Sequence, residues 1–292
     1  MPTIAGVVIL YNPESSIIRN IDSYISQINK LYVIDNSDES NNEIVKKFFK
    51  YEKVEYICNG ANLGIATALN IGARKAINEG FDYLLTMDQD SEAVPSMVSE
   101  LMNCFSEDSK IAIVAPLLQH SSGRHFIPKS EKSCEQVFTA WTSGNLIDLN
   151  IFKLTGGFLE ELFIDYVDHE FCLRLNKMGY KIYICNKTFI IHNLGKTEEI
   201  NLIFRKVHPT NHSALRLYYR ARNRFYVKKL YHNQFPEFFM QDDRDFWRSF
   251  LKVILFEKQK IEKIKYFTLG YKDFKKNKFG KFEINYSINQ GK

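Results

Sequence analysis

The chain has no Cys-x-x-Cys pair, and its five cysteines (Cys58, Cys104, Cys134, Cys172 and Cys185) are scattered and odd in number. That pattern argues against a zinc site or a disulfide framework and predicts reduced thiols in a cytosolic compartment. Long apolar runs are missing too: none approaches the roughly 18 residues a membrane span needs, so an integral membrane protein is not expected. Met1-Pro2-Thr3 enters an apolar segment directly, without the charged region and cleavage site of a secretory leader. Internal repeats and low-complexity tracts are absent. Neither sign of charge dominates: 39 Lys and Arg against 34 Asp and Glu give +5, too mild to argue for a nucleic-acid partner.

What is present is an ordinary globular composition. With 292 residues and 45% hydrophobic side chains, the chain can bury one large core with an appendage. Its first half alternates strand and helix patterns. Ile4 to Leu10 is a continuous apolar run, as in a strand buried on both faces. Ile17, Ile21, Tyr24 and Ile28 recur at helical spacing, and Leu31 to Ile34 is a second strand. A polar helix over about 41–51, a strand over Val54 to Cys58, an Ala-rich helix from Ile65 to Glu79 and a strand ending near Thr86 complete a βαβαβαβ run. This predicts an α/β fold with an open, mostly parallel sheet and ligands beyond the carboxyl ends of its strands. Further on, Val137 to Asp148 reads as strand material broken by Ser143-Gly144-Asn145, and Tyr166 to Met178 as a helix stopped by Gly179. Lys181 to Cys185 and Phe189 to His192 read as two short strands. From about Glu199 the pattern becomes helical, aromatic and basic. The expected division is a catalytic region over 1–200, with halves of about 1–92 and 93–200, and a C-terminal extension over 201–292.

The strand tips carry the chemistry. Asp88-Gln89-Asp90 ends the fourth strand, and two carboxylates one residue apart offer hard oxygen ligands for a Mg²⁺- or Mn²⁺-class ion. Acidic turns are common, so the weight comes from the company this one keeps. Tyr11-Asn12 follows the first strand as an aromatic face and a turn. Asp35-Asn36-Ser37 follows the second and can accept a base N–H. Asn62-Leu63-Gly64 opens the Ala-rich helix, whose N-terminus favours an anion, although the spacing is neither a Rossmann nor a P-loop signature. Together these describe a nucleotide-diphosphate pocket. Downstream, Asp165, Asp168 and Glu170 follow a double glycine. Asp165 as an N-cap with first-turn acids accounts for part of that cluster. Asp168 is the candidate general base. His192, at a strand end, is either a hydrogen-bonded surface residue or a third metal ligand.

These blocks, in this order over about residues 4–225, resemble the inverting family-two glycosyltransferases with the GT-A fold. Asp88-Gln89-Asp90-Ser91, Phe163-Ile164-Asp165-Tyr166-Val167-Asp168 and Tyr218-Tyr219-Arg220-Ala221-Arg222-Asn223 narrow the likeness to the bacterial rhamnosyltransferase subgroup. The resemblance implies a Rossmann-like open mixed sheet flanked by helices, with a C-terminal helical extension. It implies that Tyr11 and Asp35 hold the base of dTDP-L-rhamnose, that Asn12, Asn36, Asn62 and Gly64 line the donor side, and that Ser143, Gly144 and Asp165 line the acceptor side. Asp88 would reach the ribose or the metal, Asp90 and His192 would complete the metal site, and Arg220 and Arg222 would contact the diphosphate. Asp168 matches the Asp of the family's Glu-Asp motif, whose Glu is replaced here by Val167.

The implied activity is metal-dependent transfer of L-rhamnose, with inversion, to a glycan or polyprenyl-linked acceptor for a bacterial surface polysaccharide. A UDP-hexose or UDP-N-acetylhexosamine donor is the near alternative. A nucleotidyltransferase would need a Gly- and Lys/Arg-rich loop that Tyr11-Asn12-Pro13-Glu14 does not supply, and a non-catalytic scaffold would not need Asp88, Asp90 and Asp168. Trp247, Phe250, Leu251, Ile254 and Leu255 among Arg248, Lys252 and Lys258 suggest either a helix packed on the catalytic region or peripheral contact with an anionic inner membrane face.

Overall fold

A computed structural model describes residues 2–120, 131–192, 200–202, 205–207 and 211–283. The first half is the expected alternation: β1 (Ile4–Leu10), α1 (Ile17–Asp22), β2 (Lys30–Asp35), α2 (Asn42–Phe48), β3 (Val54–Cys58), α3 (Ile65–Asn78) and β4 (Tyr83–Asp88). The Asn41 side chain caps α2 by accepting from the Glu43 and Ile44 N–H groups. The helix expected to reach Ile28 stops at Asp22, and a single 3₁₀ turn at Ile25–Gln27 follows it.

The second half holds β5 (Ser91–Ala93), α4 (Met97–Phe105), β6 (Ile111–His120), β7 (Cys134–Val137), β8 (Asn145–Asp148), α5 (Leu149–Thr155), α6 (Val167–Lys177) and β9 (Lys181–His192). After β10 (Ile200–Leu202) and β11 (Arg205–Val207), the chain becomes helical in α7 (Ala214–Tyr231), α8 (Pro236–Phe256) and α9 (Lys260–Lys275). β5, β6 and the β10–β11 pair were not anticipated. The two short strands expected over Lys181–His192 are one, because β9 stays paired to β6 across a register shift between Pro116 and Leu117 that skips residues 186–188.

One sheet runs in the order β3-β2-β1-β4-β8-β6-β9-β5, with β7 on the other side of part of β9. β1 to β4 are parallel, whereas β8 enters antiparallel between β4 and β6. Apolar alternation sends Val7, Tyr32 and Leu84 to the face covered by α3, α5 and α6, and Val8, Val33 and Leu85 to the face covered by α1, α2 and α4. Gly72 on α3 lies where a Cβ would come within 2.3 Å of Val7, so its lack of a side chain lets the helix sit down on β1. Val227, Tyr231 and Phe239 of the C-terminal helices join the first of these cores, and α7 and α9 pack closely.

The expectation of unpaired thiols fails at one pair. Cys104 at the end of α4 and Cys134 at the start of β7 form a disulfide, with Cα atoms 6.1 Å apart. Sequence spacing could not reveal it, because β6 and the turn of the fold bring together residues 30 positions apart.

Candidate active site

Parallel register fixes which side chains leave the sheet together. Leu10 pairs with Asp35, Asp35 with Cys58 and Ile9 with Asp88, so Tyr11, Asp35 and Asp88 emerge along one carboxyl edge. Tyr11 is 46% exposed, a free aromatic face beside that edge. Gln89, between the two acids, clamps the Tyr11 backbone: its Oε1 accepts from Tyr11 N at 2.9 Å and its Nε2 donates to Tyr11 O at 3.2 Å. Asn12 N donates to Ser37 Oγ at 2.8 Å. Asp35 is buried, accepting from Ser37 N at 2.9 Å and from the Tyr56 hydroxyl at 2.6 Å. Each of its oxygens keeps a lone pair for a base N–H.

Other donor-side residues act on the protein itself. Asn36 donates to Gly64 O at 2.9 Å and accepts from Asn59 at 2.7 Å. Asn62 Oδ1 accepts from Gly64 N at 3.0 Å. Gly64 does permit a close approach, but what approaches is Phe163: a Cβ there would lie 2.6 Å from the Phe163 ring, and φ is +88°. The Ile65 N–H donates to Phe163 O at 2.7 Å. The first N–H of α3 therefore helps seat the loop before α6.

The Asp88, Asp90 and His192 ligand atoms lie within 4.8 Å of one another. Ser91 faces His192 in the β5–β9 register, and its Oγ is 2.8 Å from His192 Nδ1. Ser143 Oγ donates to Ser91 Oγ at 2.8 Å and accepts from Asp88 N at 3.1 Å. Gly144 N donates to Thr86 O at 2.7 Å, and a Cβ on Gly144 would strike Pro116 at 2.6 Å. Ser143-Gly144 thus braces the acidic loop. His192 Nδ1 also lies 3.5 Å from Asp90 Oδ1, and a neutral imidazole keeps one ring nitrogen with a lone pair for a cation. Burial raises the Asp88 carboxyl to about 6; His192 opposes this, Asp90 and Asp168 add to it, and Arg216 opposes it. Two carboxylates and an imidazole in a shared acidic field suit a Mg²⁺ or Mn²⁺ ion.

Asp168 is among the charges that act on Asp88. It lies in the first turn of α6, 21% exposed by its side chain. Burial would raise its carboxyl, but His169 outweighs burial through charge and hydrogen bonds from N and Nδ1, both 2.8 Å to Oδ1, and holds it below the usual range. An ionised carboxylate can accept a proton. The helix is not capped by Asp165 as expected: Tyr166 is the cap residue, in the left-handed region, with no side-chain bond. Phe163, Asp165 and Tyr166 all have φ between +63° and +66°, a concentration of backbone strain beside Asp168.

α7 holds that strained loop. Asn223 Nδ2 donates to the Leu162, Ile164 and Asp165 carbonyls at 2.7–2.9 Å, and Arg222 donates to the Glu161 and Leu162 carbonyls. Arg222 is 1% exposed and is a brace, not a diphosphate contact. Arg220 turns to Ser249 on α8 at 3.1 Å. Glu170 is likewise buried, bonded to Arg174 and Tyr231. Among the described residues, Arg216, one turn earlier on α7, is paired with Asp165 at 3.3 Å and acts on Asp88. Its place one turn before Arg220 on the same helix was the signal available in the sequence. Ser91 and Gln89 were overlooked because they serve through other residues.

A family model, "Glycosyl transferase family 2", matches residues 7–172, more than half of the chain. The chain belongs to glycosyl transferase family 2. Over 246 residues it is 29% identical to the dTDP-rhamnosyl transferase RfbF of Shigella flexneri, covering 78% of this chain and 81% of that one. It is 24% identical over 207 residues to the low-salt glycan biosynthesis hexosyltransferase Agl10 of Haloferax volcanii, covering 64% and 66%. Among solved structures, GalNAc-T7 with UDP, GalNAc and Mn²⁺ aligns over 99% of this chain and 57% of its own, at a TM-score of 0.62 and 16% identity. The mannosyltransferase PcManGT of Pyrobaculum calidifontis, in complex with GDP-Man and Mn²⁺, aligns over 76% and 61%, at 0.54 and 12%. These likenesses show the GT-A-like fold, and the family makes the protein a glycosyltransferase.

Proposed function

We infer that this glycosyltransferase moves L-rhamnose from dTDP-L-rhamnose to a hydroxyl of a bacterial surface-polysaccharide acceptor, inverting the anomeric carbon. The observation that supports the reading is the Asp88, Asp90 and His192 cluster, with Asp168 acting on Asp88 through its charge. The likeness to a dTDP-rhamnosyl transferase supports the donor.

Tyr11 stacks against the thymine and Asp35 accepts its N–H. Asp88, Asp90 and His192 would hold a Mg²⁺ or Mn²⁺ ion, which would supply positive charge to offset that of the departing diphosphate. Arg216 swings from Asp165 onto the same diphosphate, a charge-assisted contact with an anion. Asp168 takes the proton from the acceptor hydroxyl as its oxygen attacks the sugar from the face opposite the diphosphate. His169 keeps Asp168 ionised and turned, so the base is ready before the acceptor arrives.

Among the described residues no helix is long and apolar enough to cross a membrane. For a polyprenyl-linked acceptor, peripheral contact fits α8, whose Trp247, Leu251 and Leu255 are exposed beside Arg248 and Lys252 while Phe246 and Val253 face inward. Thermal-shift screening with Mn²⁺ tests the donor. Stabilisation by dTDP-L-rhamnose beyond that by UDP-glucose, UDP-galactose and UDP-GlcNAc is expected, and the reverse order would replace the donor assigned here.

A further inference from the structure

Away from this cleft, three sulfurs from three elements meet. Cys104 closes α4, Cys134 opens β7, and Cys185 stands opposite Cys134 in the β7–β9 register. Their Sγ atoms all lie within 4.8 Å of one another, although only Cys104 and Cys134 are joined. Cys104 and Cys185 are buried. Cys185 donates to the Glu100 carbonyl at 3.5 Å, so an acceptor already lies beside the sulfurs. The acidic side chains of Glu100 and Glu107 bear on the same thiol. A disulfide alone does not explain a third cysteine against the bond, and the surrounding negative field suits a cation.

We propose that Cys104, Cys134 and Cys185 form a redox-gated site for one thiophilic divalent cation of the Zn²⁺ class. A tetrahedral thiolate site with Zn–S bonds of about 2.3 Å sets its sulfurs roughly 3.8 Å apart. The observed cluster needs only a small contraction of its third member and release of the first two. The chemistry has two balanced steps. An external dithiol reduces the Cys104–Cys134 bond, becoming a disulfide as both cysteines gain a hydrogen. The three thiols then lose three protons as three S–metal bonds form, and a water or the Glu100 carbonyl fills the fourth position. An external disulfide reverses the first step, rejoining Cys104 to Cys134 as it is itself reduced to two thiols, and the ion leaves with two ligands lost. β9 ends in His192, so the site ties that strand to α4, the helix that follows the Asp90 turn and β5.

The test uses the full chain, reduced with a phosphine and freed of metal, titrated with Cd²⁺ while the thiolate-to-metal charge-transfer absorbance is followed. One equivalent is expected to saturate the band in wild type and in Cys58→Ser, the exposed-thiol control. Cys185→Ser should weaken binding about tenfold or more, within the range seen when a site loses one of its supporting groups. Re-oxidised wild type should show no band. Zn²⁺ should also slow the reaction of three thiols with a thiol reagent in the reduced wild type, a readout that does not depend on any variant folding. Absence of the band in reduced protein, equal binding by Cys185→Ser or by the oxidised chain, or unprotected thiols would each overturn the proposal. Glycosyl transfer is not read, so failure here leaves the active-site assignment standing.

Discussion

The two sides of the cleft are built by different means. On the donor side, Tyr11, Asp35 and Asp88 sit at the ends of parallel strands, and sheet register alone brings them together. On the acceptor side, Asp168 follows a loop with three left-handed residues, and that loop stays in place because buried Asn223 and Arg222 satisfy its carbonyls. Strand ends and the short turn between β4 and β5 present the candidate metal ligands, whereas side-chain scaffolding from α7 presents the candidate base. A substitution on the first side removes a contact to the ligand. One on the second can disable the site without touching any substrate.

The largest expected effect is at the base itself. Asp168→Asn should lower transfer by about 10²- to 10⁴-fold, the usual worth of a general base, with donor affinity little changed; comparing steady-state rates with donor calorimetry separates the two. Asp90→Ala should lose more Mn²⁺ affinity than the 10–100-fold typical of outer-shell changes and should weaken donor binding with it. Unaltered sensitivity to EDTA in that variant would remove Asp90 from the ligand set. Arg216→Ala should raise the donor KM roughly tenfold to a hundredfold, the worth of a charged hydrogen bond, while Arg220→Ala leaves it near wild type. An opposite ranking would restore the motif-based assignment of Arg220.

Asn223→Ala sharpens the contrast between the two sides. It takes the α7 donor from the Ile164 and Asp165 carbonyls, while Arg222 still reaches Leu162 O, and should cost roughly 1–3 kcal/mol of unfolding free energy, read from denaturant midpoints. Transfer should fall more than Mn²⁺ affinity does, because the metal ligands are held by the sheet. The smallest effect is at the surface: replacing Trp247 and Leu251 with serine should reduce flotation with anionic liposomes without changing donor affinity. Equal flotation would end the membrane role of α8.

The donor side was legible in the sequence because strand periodicity and carboxyl-end logic apply wherever backbone is regular. Asp88-Gln89-Asp90 and Asp35 could be placed by counting strands. His192 was legible as a candidate only, since its partner β5 is three residues long and gives no periodic signal. The roles of Arg222 and Asn223 were not legible. A buried arginine feeding loop carbonyls and an exposed one awaiting a phosphate look alike in one sequence. Nor was the neighbour of Gly64 legible: the side-chain space that glycine leaves open is filled by the chain's own Phe163. The Cys104–Cys134 pair depends on α4 and β7 meeting at β9 and has no local trace.

The most direct test is a crystal of the Asp168→Asn variant with dTDP-L-rhamnose and Mn²⁺, in which anomalous scattering locates the ion. The ion should lie among Asp88, Asp90, His192 and the diphosphate, with residue 168 on the far side of the anomeric carbon. A manganese peak elsewhere, or residue 168 on the diphosphate's side of the sugar, would contradict the single-displacement account.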